Sequence, residues 1–520
     1  MPNEPALNTA CTSRPSFPHL PVVVPLRLSL ATLGHLPRTV RRPAFDVAAL
    51  RPGILHLGCG AFHRAHQAVF TQHAIEAEGP GAPAPWGILG VSLVRPVVRD
   101  ALRPQDWLYT VLQRGSNDDL RAEVVGSLRG VLYGPDHPAA LAARFLDPAI
   151  RIVTLTVTAS AYCLDPGTGR LRADHPDIGR DLRAAAPRSA LGVLVAGLDL
   201  VRKAGRRPPV VMSCDNLTAN GRTLRQAVLD YAALRDDGLA QWIGRSVQFP
   251  SSMVDRIVPA TTDTDAFDAA ATLGLADAAP VSTEPFRQWV VEAFDGPRPR
   301  WEAAGAEFVP DVAPWESSKL RLLNGTHLAL ACLGLLAGFE TVAEVAEDPV
   351  FAGYALRLML DEQKPTLPPS GHDIDSYARQ LLLRWRNPGI AHSLSRIGRD
   401  GSGKIHGRLL APALENLRAG RPVPCATLAV AAWIACLSGR VPVALQDPVK
   451  ERITALNRAA GGDVDRFTAA VLERSDIFGD ALPRLAPFRK GVRDGLSLLD
   501  REGPRNAARA LLAADMGWMR

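Results

Sequence analysis

Between Pro314 and His327 the chain sets out a carboxylate, an amine, an amide and an imidazole at helical spacing: Glu316, Lys319, Asn324 and His327. At roughly 100° per residue, with Lys319 as zero, Glu316 falls near 60°, His327 near 80° and Asn324 near 140°, so one arc of a helix holds all four. Leu320, Leu323 and Leu328 lie within or beside that arc and supply apolar surface. A lysine desolvated in such a setting has a lowered pKa, which a general base near neutral pH requires. The plain alternative is an amphipathic helix with a solvated polar stripe.

Other segments add candidate chemistry. In "ILHLGCGAFHR", Gly58 and Gly60 follow a strand pattern and open a helix at Ala61 and Phe62. Glycines there let the backbone approach a pyrophosphate at a helix N-terminus. His63 stands where the usual fingerprint has its third glycine, so a tight turn without a ligand is the competing reading. After the second strand, "SLVRPVVRD" has Arg95 and Arg99 but no carboxylate before Asp100 to hold an adenosine ribose. Arginines accept a 2′-phosphate, which leaves NADP open beside NAD, although surface charges on a loop are the simpler reading.

"VVMSCDNLTANG" places Asp215 and Asn216 just after a strand, where an amide donates to a developing alkoxide or merely caps a turn. "FPSSMVDRIVPATT" adds Asp255, a candidate substrate ligand, and Arg256, a further cation for a substrate carboxylate, although the two are also readable as a structural ion pair. "NPGIAHSLSRIGRDGSGKI" contributes His392, Arg396 and Lys404, which suit a polyhydroxy or carboxylate substrate.

The elements that must position these groups follow from hydrophobic patterning. A strand, glycine turn and helix begin at Gly53, and further apolar runs occur at "WGILGVSLV", "RIVTLTVT" and "PPVVMSCDN". Their alternation with helical or polar stretches predicts a parallel sheet with helices on its faces. After about residue 285, long helical patterns follow one another with few strand signals. The expected organisation is an N-terminal arm and lead-in over 1–48, a Rossmann-like dinucleotide-binding α/β domain over 49–285, and a mostly α-helical substrate-binding domain over 286–520.

Composition narrows the classes. The 520 residues carry a net charge of +6 from scattered basic residues, with no recognisable nucleic-acid module. Seven dispersed cysteines without a CxxC pair suggest free thiols and no structural zinc. The first residues lack a signal-peptide pattern, and the longest apolar runs, "LALACLGLLAGF" and "CATLAVAAWIACLSG", are too short to span a bilayer. A cytoplasmic protein with neither membrane nor nucleic-acid partners is expected.

These segments together resemble the mannitol dehydrogenase family of long-chain polyol dehydrogenases. The resemblance runs from about Leu28 to near Phe488 and is most specific in "GAFHRAHQA", "SCDN", "FPSSMVDRIVPATT", "EPFRQWV" and the spacing of Lys319, Asn324 and His327. It implies a metal-independent enzyme whose NAD-binding domain and helical substrate domain enclose the active site. By that resemblance Lys319 is the catalytic lysine, and Asn216 and Asn324 stabilise the alkoxide. His327 binds substrate, Glu316 gates proton exchange, and Arg396 and Lys404 reach the sugar.

Within the family, "LYTVLQRG", "AYCLDPGTG", Trp315 beside Glu316, and His392 in place of an aspartate look closer to fructuronate reductases. Arg396 is more like the hexitol enzymes. Ala159, Ser160 and Ala161 depart from the family's usual Glu-Lys-Gly. The expected reaction is NAD(P)-dependent interconversion of D-mannonate and D-fructuronate. The alternative is D-mannitol and D-fructose, or another hexitol or pentitol. A monomer or a small homo-oligomer is consistent with the resemblance. A catalytically silent NAD-binding sensor would not need the ordered Glu316, Lys319, Asn324 and His327 set.

Overall fold

The computed structural model of the chain describes residues 26–79, 85–116, 119–165, 167–369, 371, 373–390, 392–440 and 445–516. Residues 1–25 of the expected arm, with Cys11, lie outside the described residues. The lead-in that follows is packed rather than loose: Leu28, Leu36, Val40 and Val47 are buried against Leu108, Leu112 and Val124.

Eleven strands occur in chain order among the described residues: β1 (Pro52–Leu57), β2 (Gly87–Ser92), β3 (Tyr109–Arg114), β4 (Leu120–Val125), β5 (Leu128–Tyr133), β6 (Ile152–Leu155), β7 (Val210–Ser213), β8 (Ser252–Asp255), β9 (Val281–Thr283), β10 (Gln288–Glu292) and β11 (Glu307–Val309). The four strands expected from apolar runs are β1, β2, β6 and β7. They pair in parallel with a fifth, β5, in the order β5-β2-β1-β6-β7. This is the doubly wound order, and it reverses between β1 and β6, where such sheets bind ligands beyond the strand ends. Leu57, Leu155 and Ser213 lie in register at that edge, so the segments after all three strands emerge side by side. Strands β1, β2, β6 and β7 are buried along nearly their whole length, as a sheet covered on both faces requires.

The region between the second and third expected strands holds three further strands besides the helices Val97–Leu102 and Pro138–Phe145. β3 and β4 form an antiparallel hairpin joined by β9, and β5 extends the main sheet. A third small sheet pairs β10 antiparallel to β8 and β11 parallel to β10. A division at residue 285 would cut this pairing. We propose that the helical domain begins after β11, near Pro310.

Beyond that point helices dominate. The run read as a buried helix is Pro424–Leu437, buried from Cys425 to its end and packed against Thr326–Leu336 and Ala486–Met516. Among the described residues no helix is long and apolar enough to cross a membrane. The six described cysteines are free and buried.

The helical half departs from ideal α geometry where it meets the site. Lys319–Gly325, Leu358–Gln363 and His406–Leu410 are π-helical. One cause is visible in the sequence. Pro412 has no N–H to offer the Arg408 carbonyl four residues earlier, and Gln363 Nε2 donates to that carbonyl at 3.1 Å instead. Gly325 admits this crossing, because a Cβ there would sit 2.7 Å from the Arg408 carbonyl oxygen. The three π turns therefore meet around Gly325.

Candidate active site

A cavity of about 1240 Å³ opens between the carboxyl edge of the parallel sheet and the helical half. Its sheet-side wall includes Gly60, Ala61, Phe62, Thr156, Thr158 and Asn216, and its helical wall includes Lys319, Asn324, His327, His392 and Arg396. Most of the expected site residues are thus brought to one space, although they come from distant parts of the chain.

Gly58 shapes the turn from behind. Its φ is 93°, and a Cβ would lie 2.1 Å from the Thr156 carbonyl oxygen, so no other residue fits without moving β6. At Gly60 the nearest atom to an added Cβ would be 3.9 Å away, which leaves an open cradle beside the turn. The helix expected to follow is interrupted. Ala61–Ala65 and Gln67–Ala77 are separate helices, broken at His66, whose Nε2 lies 2.8 Å from the Gln288 carbonyl oxygen. An open glycine cradle at the switch point, continuous with a long cavity, fits a dinucleotide. Arg95 does not line this cavity; it is exposed beyond β2, while Arg99 is engaged by Asp100 and Asp136.

The loop after β6 carries the unusual Ala159-Ser160-Ala161 sequence. It is fixed mainly by the buried Asp215, with Ser160 adding one hydroxyl contact to Thr158 at 3.1 Å. The Asp215 carboxylate accepts the amides of Val157 and Thr158 at 2.9 and 2.8 Å and the Tyr162 hydroxyl at 2.8 Å. These bonds support Thr158 at a positive φ of 73° with an extended ψ of 155°, a backbone setting that side-chain-bearing residues rarely adopt. Ala159 faces the cavity.

Lys319 is buried at the junction of both halves. Its Nζ donates to Asn216 Oδ1 at 2.8 Å and to the Val254 carbonyl at 2.6 Å. Burial holds its pKa below the ordinary lysine value; Asp255 opposes that shift, and Arg384 and Arg408 reinforce it. A neutral amine has two N–H groups and one lone pair. With both N–H groups engaged, the lone pair is left for a substrate proton.

Asn324 lines the main cavity and a second space of about 90 Å³ behind Lys319, which Glu316, Asp215 and Arg408 also border. Lys319 and Asn324 are five residues apart, one i→i+5 turn of π-helix, which brings them closer to one face than an α-helix would. Glu316 belongs to the small space and not to the main cavity. Its Oε2 accepts the Ala219 amide at 2.9 Å, and burial raises its pKa.

His327 is buried, and its Nε2 has no hydrogen-bond partner among the described residues. Its ring packs 4.7 Å from Trp385 and edge-on to His392 at 5.2 Å. Burial, helped by His392, holds it well below the usual histidine value, and burial with nearby Arg396 lowers His392 to about 4. Both rings are neutral near pH 7.

Two readings of the sequence need correction. Asp255 does not pair with Arg256. Its carboxylate meets Arg384 at 2.7 and 3.1 Å, while Arg256 donates to the carbonyls of Glu284 and Ala65. Lys404 does not line the cavity, because its ammonium donates to the Arg399 carbonyl. Arg384, Glu284 and Arg408 were not singled out. Arg384 carried a faint signal, a cation beside the buried positions Leu381, Leu382 and Trp385 of the helix Ile374–Trp385. Arg408 had none, since its placement depends on the π turns.

Comparison with known proteins identifies the family. Residues 52–303 match the model of the mannitol dehydrogenase Rossmann domain, and residues 311–497 match that of the mannitol dehydrogenase C-terminal domain. The chain is 40% identical over 483 residues to a D-mannonate oxidoreductase of Escherichia coli, covering 91% of this chain and 98% of that one. It is 38% identical over 498 residues to a mannitol 2-dehydrogenase of Aspergillus terreus, covering 92% and 98%. Among solved structures it is similar to the Pseudomonas fluorescens mannitol 2-dehydrogenase in ternary complex with NAD and D-mannitol. That match has a TM-score of 0.82 and 37% identity, and covers 94% of this chain and all of that one. The chain belongs to the mannitol dehydrogenase family and is an oxidoreductase of that family.

Proposed function

We propose that this protein is a metal-independent, NAD-dependent dehydrogenase that interconverts a secondary alcohol and a ketone on an open-chain sugar acid or polyol. The observation that carries this reading is the buried Lys319, its pKa lowered by burial and its Nζ bonded to Asn216, on the wall of the cavity that begins at the glycine cradle. NAD is the cofactor found in the Pseudomonas fluorescens relative, and Gly60, Ala61, Phe62 and the Thr156–Ala159 loop would hold it here. When bound, its nicotinamide supplies the hydride acceptor for oxidation and the hydride donor for reduction.

In oxidation the Lys319 lone pair takes the hydroxyl proton as the carbinol carbon gives up its hydride. Asn216 accepts from Lys319 through Oδ1, which leaves its Nδ2 to donate to the oxygen as charge develops; Asn324 donates from the opposite side. The protonated Lys319 is the acid for reduction. Glu316, behind Lys319 in the small space, is placed to pass that proton toward solvent. His327, with its unpaired Nε2, binds a substrate hydroxyl.

The favoured substrate pair is D-fructuronate and D-mannonate. A buried substrate carboxylate needs a cation. Among the described residues Arg396 lines the cavity with no ion-pair partner, and its neighbour is the neutral His392 rather than a repelling carboxylate. Mannitol and fructose are the second reading, favoured by the mannitol 2-dehydrogenase relatives of similar identity. Comparing kcat/KM for D-fructuronate and D-fructose with NADH decides between them. We expect fructuronate to be preferred, and Arg396→Gln to lower its kcat/KM by roughly 10–100-fold while changing fructose far less. A preference for fructose sinks the hexuronate assignment and leaves the base assignment intact.

A further inference from the structure

The most heavily invested polar group near the cavity is not part of its wall. Arg384, on the helix Ile374–Trp385, divides its guanidinium between two carboxylates. Nη1 and Nη2 reach Asp255 at 2.7 and 3.1 Å, and Nε and Nη2 reach Glu284 at 2.9 and 2.7 Å. The three side chains are 7%, 4% and 2% exposed, so the network is cut off from solvent, where single-partner loss is costly. The guanidinium also lies 3.9 Å over the Phe286 ring. Asp255 ends β8 and lines the cavity with Lys319, whereas Glu284 follows β9 and accepts the Ile257 amide at 2.7 Å. One side chain from the helical half therefore fixes the ends of two strands that border the reacting space.

We propose that Arg384 is a positioning residue for the reaction: it holds the Asp255 carboxylate against the substrate space and offsets its negative charge beside Lys319. The proposal rests on Lys319 being the base. A buried carboxylate left alone near an amine would favour the ammonium form and remove the lone pair. Arginine suits the task because its planar fork engages two carboxylates at once and stays charged.

The charged groups facing Lys319 are Asp255 from β8, Arg384 from its helix, Arg408 from the π turn His406–Leu410, and Glu316 from the preceding turn. His66 faces Asp255 as well, and burial lowers it to about 3, so it is neutral. Burial would raise Asp255, but Arg384 overrides that and holds it below its usual value; in Glu284 burial prevails and raises the pKa. The sign for catalysis is direct. Oxidation needs neutral Lys319 and so is lost as pH falls through its pKa. Removing the Arg384 charge moves that limb to higher pH. Glu284 does not face Lys319 but partly neutralises Arg384, so removing the Glu284 charge leaves the guanidinium less compensated and moves the limb to lower pH.

The experiment is the pH dependence of kcat/KM for polyol or aldonate oxidation with NAD in Arg384→Gln and Glu284→Gln, beside wild type and Lys319→Ala. The expected shifts are about one pH unit upward for Arg384→Gln and about half a unit downward for Glu284→Gln. A purely structural network would lower rates in both without opposite shifts. If Arg384→Gln fails to fold, the downward shift in Glu284→Gln still decides. Unmoved limbs, or limbs moved the same way, overturn the role of Arg384 when Lys319→Ala is inactive. If Lys319→Ala keeps its turnover, the base assignment itself fails, and this proposal fails with it.

Discussion

The two walls of the cavity are built on opposite principles. On the sheet side the chain contributes mostly backbone: the turn at Gly58 and Gly60 and the loop pinned by Asp215. On the helical side it contributes side chains, with Lys319, Asn324 and His327 crowded onto π-helical and α-helical turns. A backbone wall works by what it leaves out, because a pyrophosphate needs N–H groups and room. A side-chain wall works by angular placement, so a change of helical register rearranges its chemistry. The first should be broken by adding a methyl group at the turn, the second by disturbing the meeting of the π turns.

The largest effect of this kind is expected at Gly58. In Gly58→Ala the methyl would overlap the Thr156 carbonyl and the backbone would keep a left-handed φ. We expect a loss of roughly 2–4 kcal/mol in stability. NAD binding, read by quenching of tryptophan fluorescence, should weaken at least tenfold. Unchanged affinity in a folded variant would separate the turn from the cofactor.

A smaller effect is expected at Gly325→Ala. The methyl would press on the Arg408 carbonyl at 2.7 Å and push the π turns apart. Stability should fall by about 1–3 kcal/mol. NAD affinity should stay near wild type while kcat drops, because Asn324 and Lys319 shift against each other. Equal losses in both parameters would mean that the walls are not independent.

The contrast also explains what could be read from the sequence. The sheet side was legible because buried parallel strands are continuous apolar runs and their ends converge at the switch point; Gly58, Asp215 and Asn216 followed from that. The short strands β3, β4 and β5 were not, since Tyr109–Arg114 and Leu120–Val125 mix charged and apolar residues. The existence of the helical wall was legible, and so was the convergence of Lys319, Asn324 and His327 on it. A regular 100° step could not foresee that π turns bring Asn324 to Lys319, or that Glu316 turns to a separate space. Lys404 and Arg256 look like substrate ligands in sequence and are occupied by carbonyls in the fold. Arg384 is invisible to local patterning because its partners lie about 100 and 129 residues away.

The central claim is that a buried, neutral Lys319 is the base. Its most direct test is the oxidation rate of Lys319→Ala against wild type across pH, with NAD affinity measured in parallel. The account predicts a wild-type acidic limb below the ordinary lysine pKa of 10.5. In the variant, kcat should fall by roughly 10²–10⁴-fold and that limb should disappear. NAD affinity should change little. Near-wild-type turnover in Lys319→Ala, with the same pH limb, would contradict it.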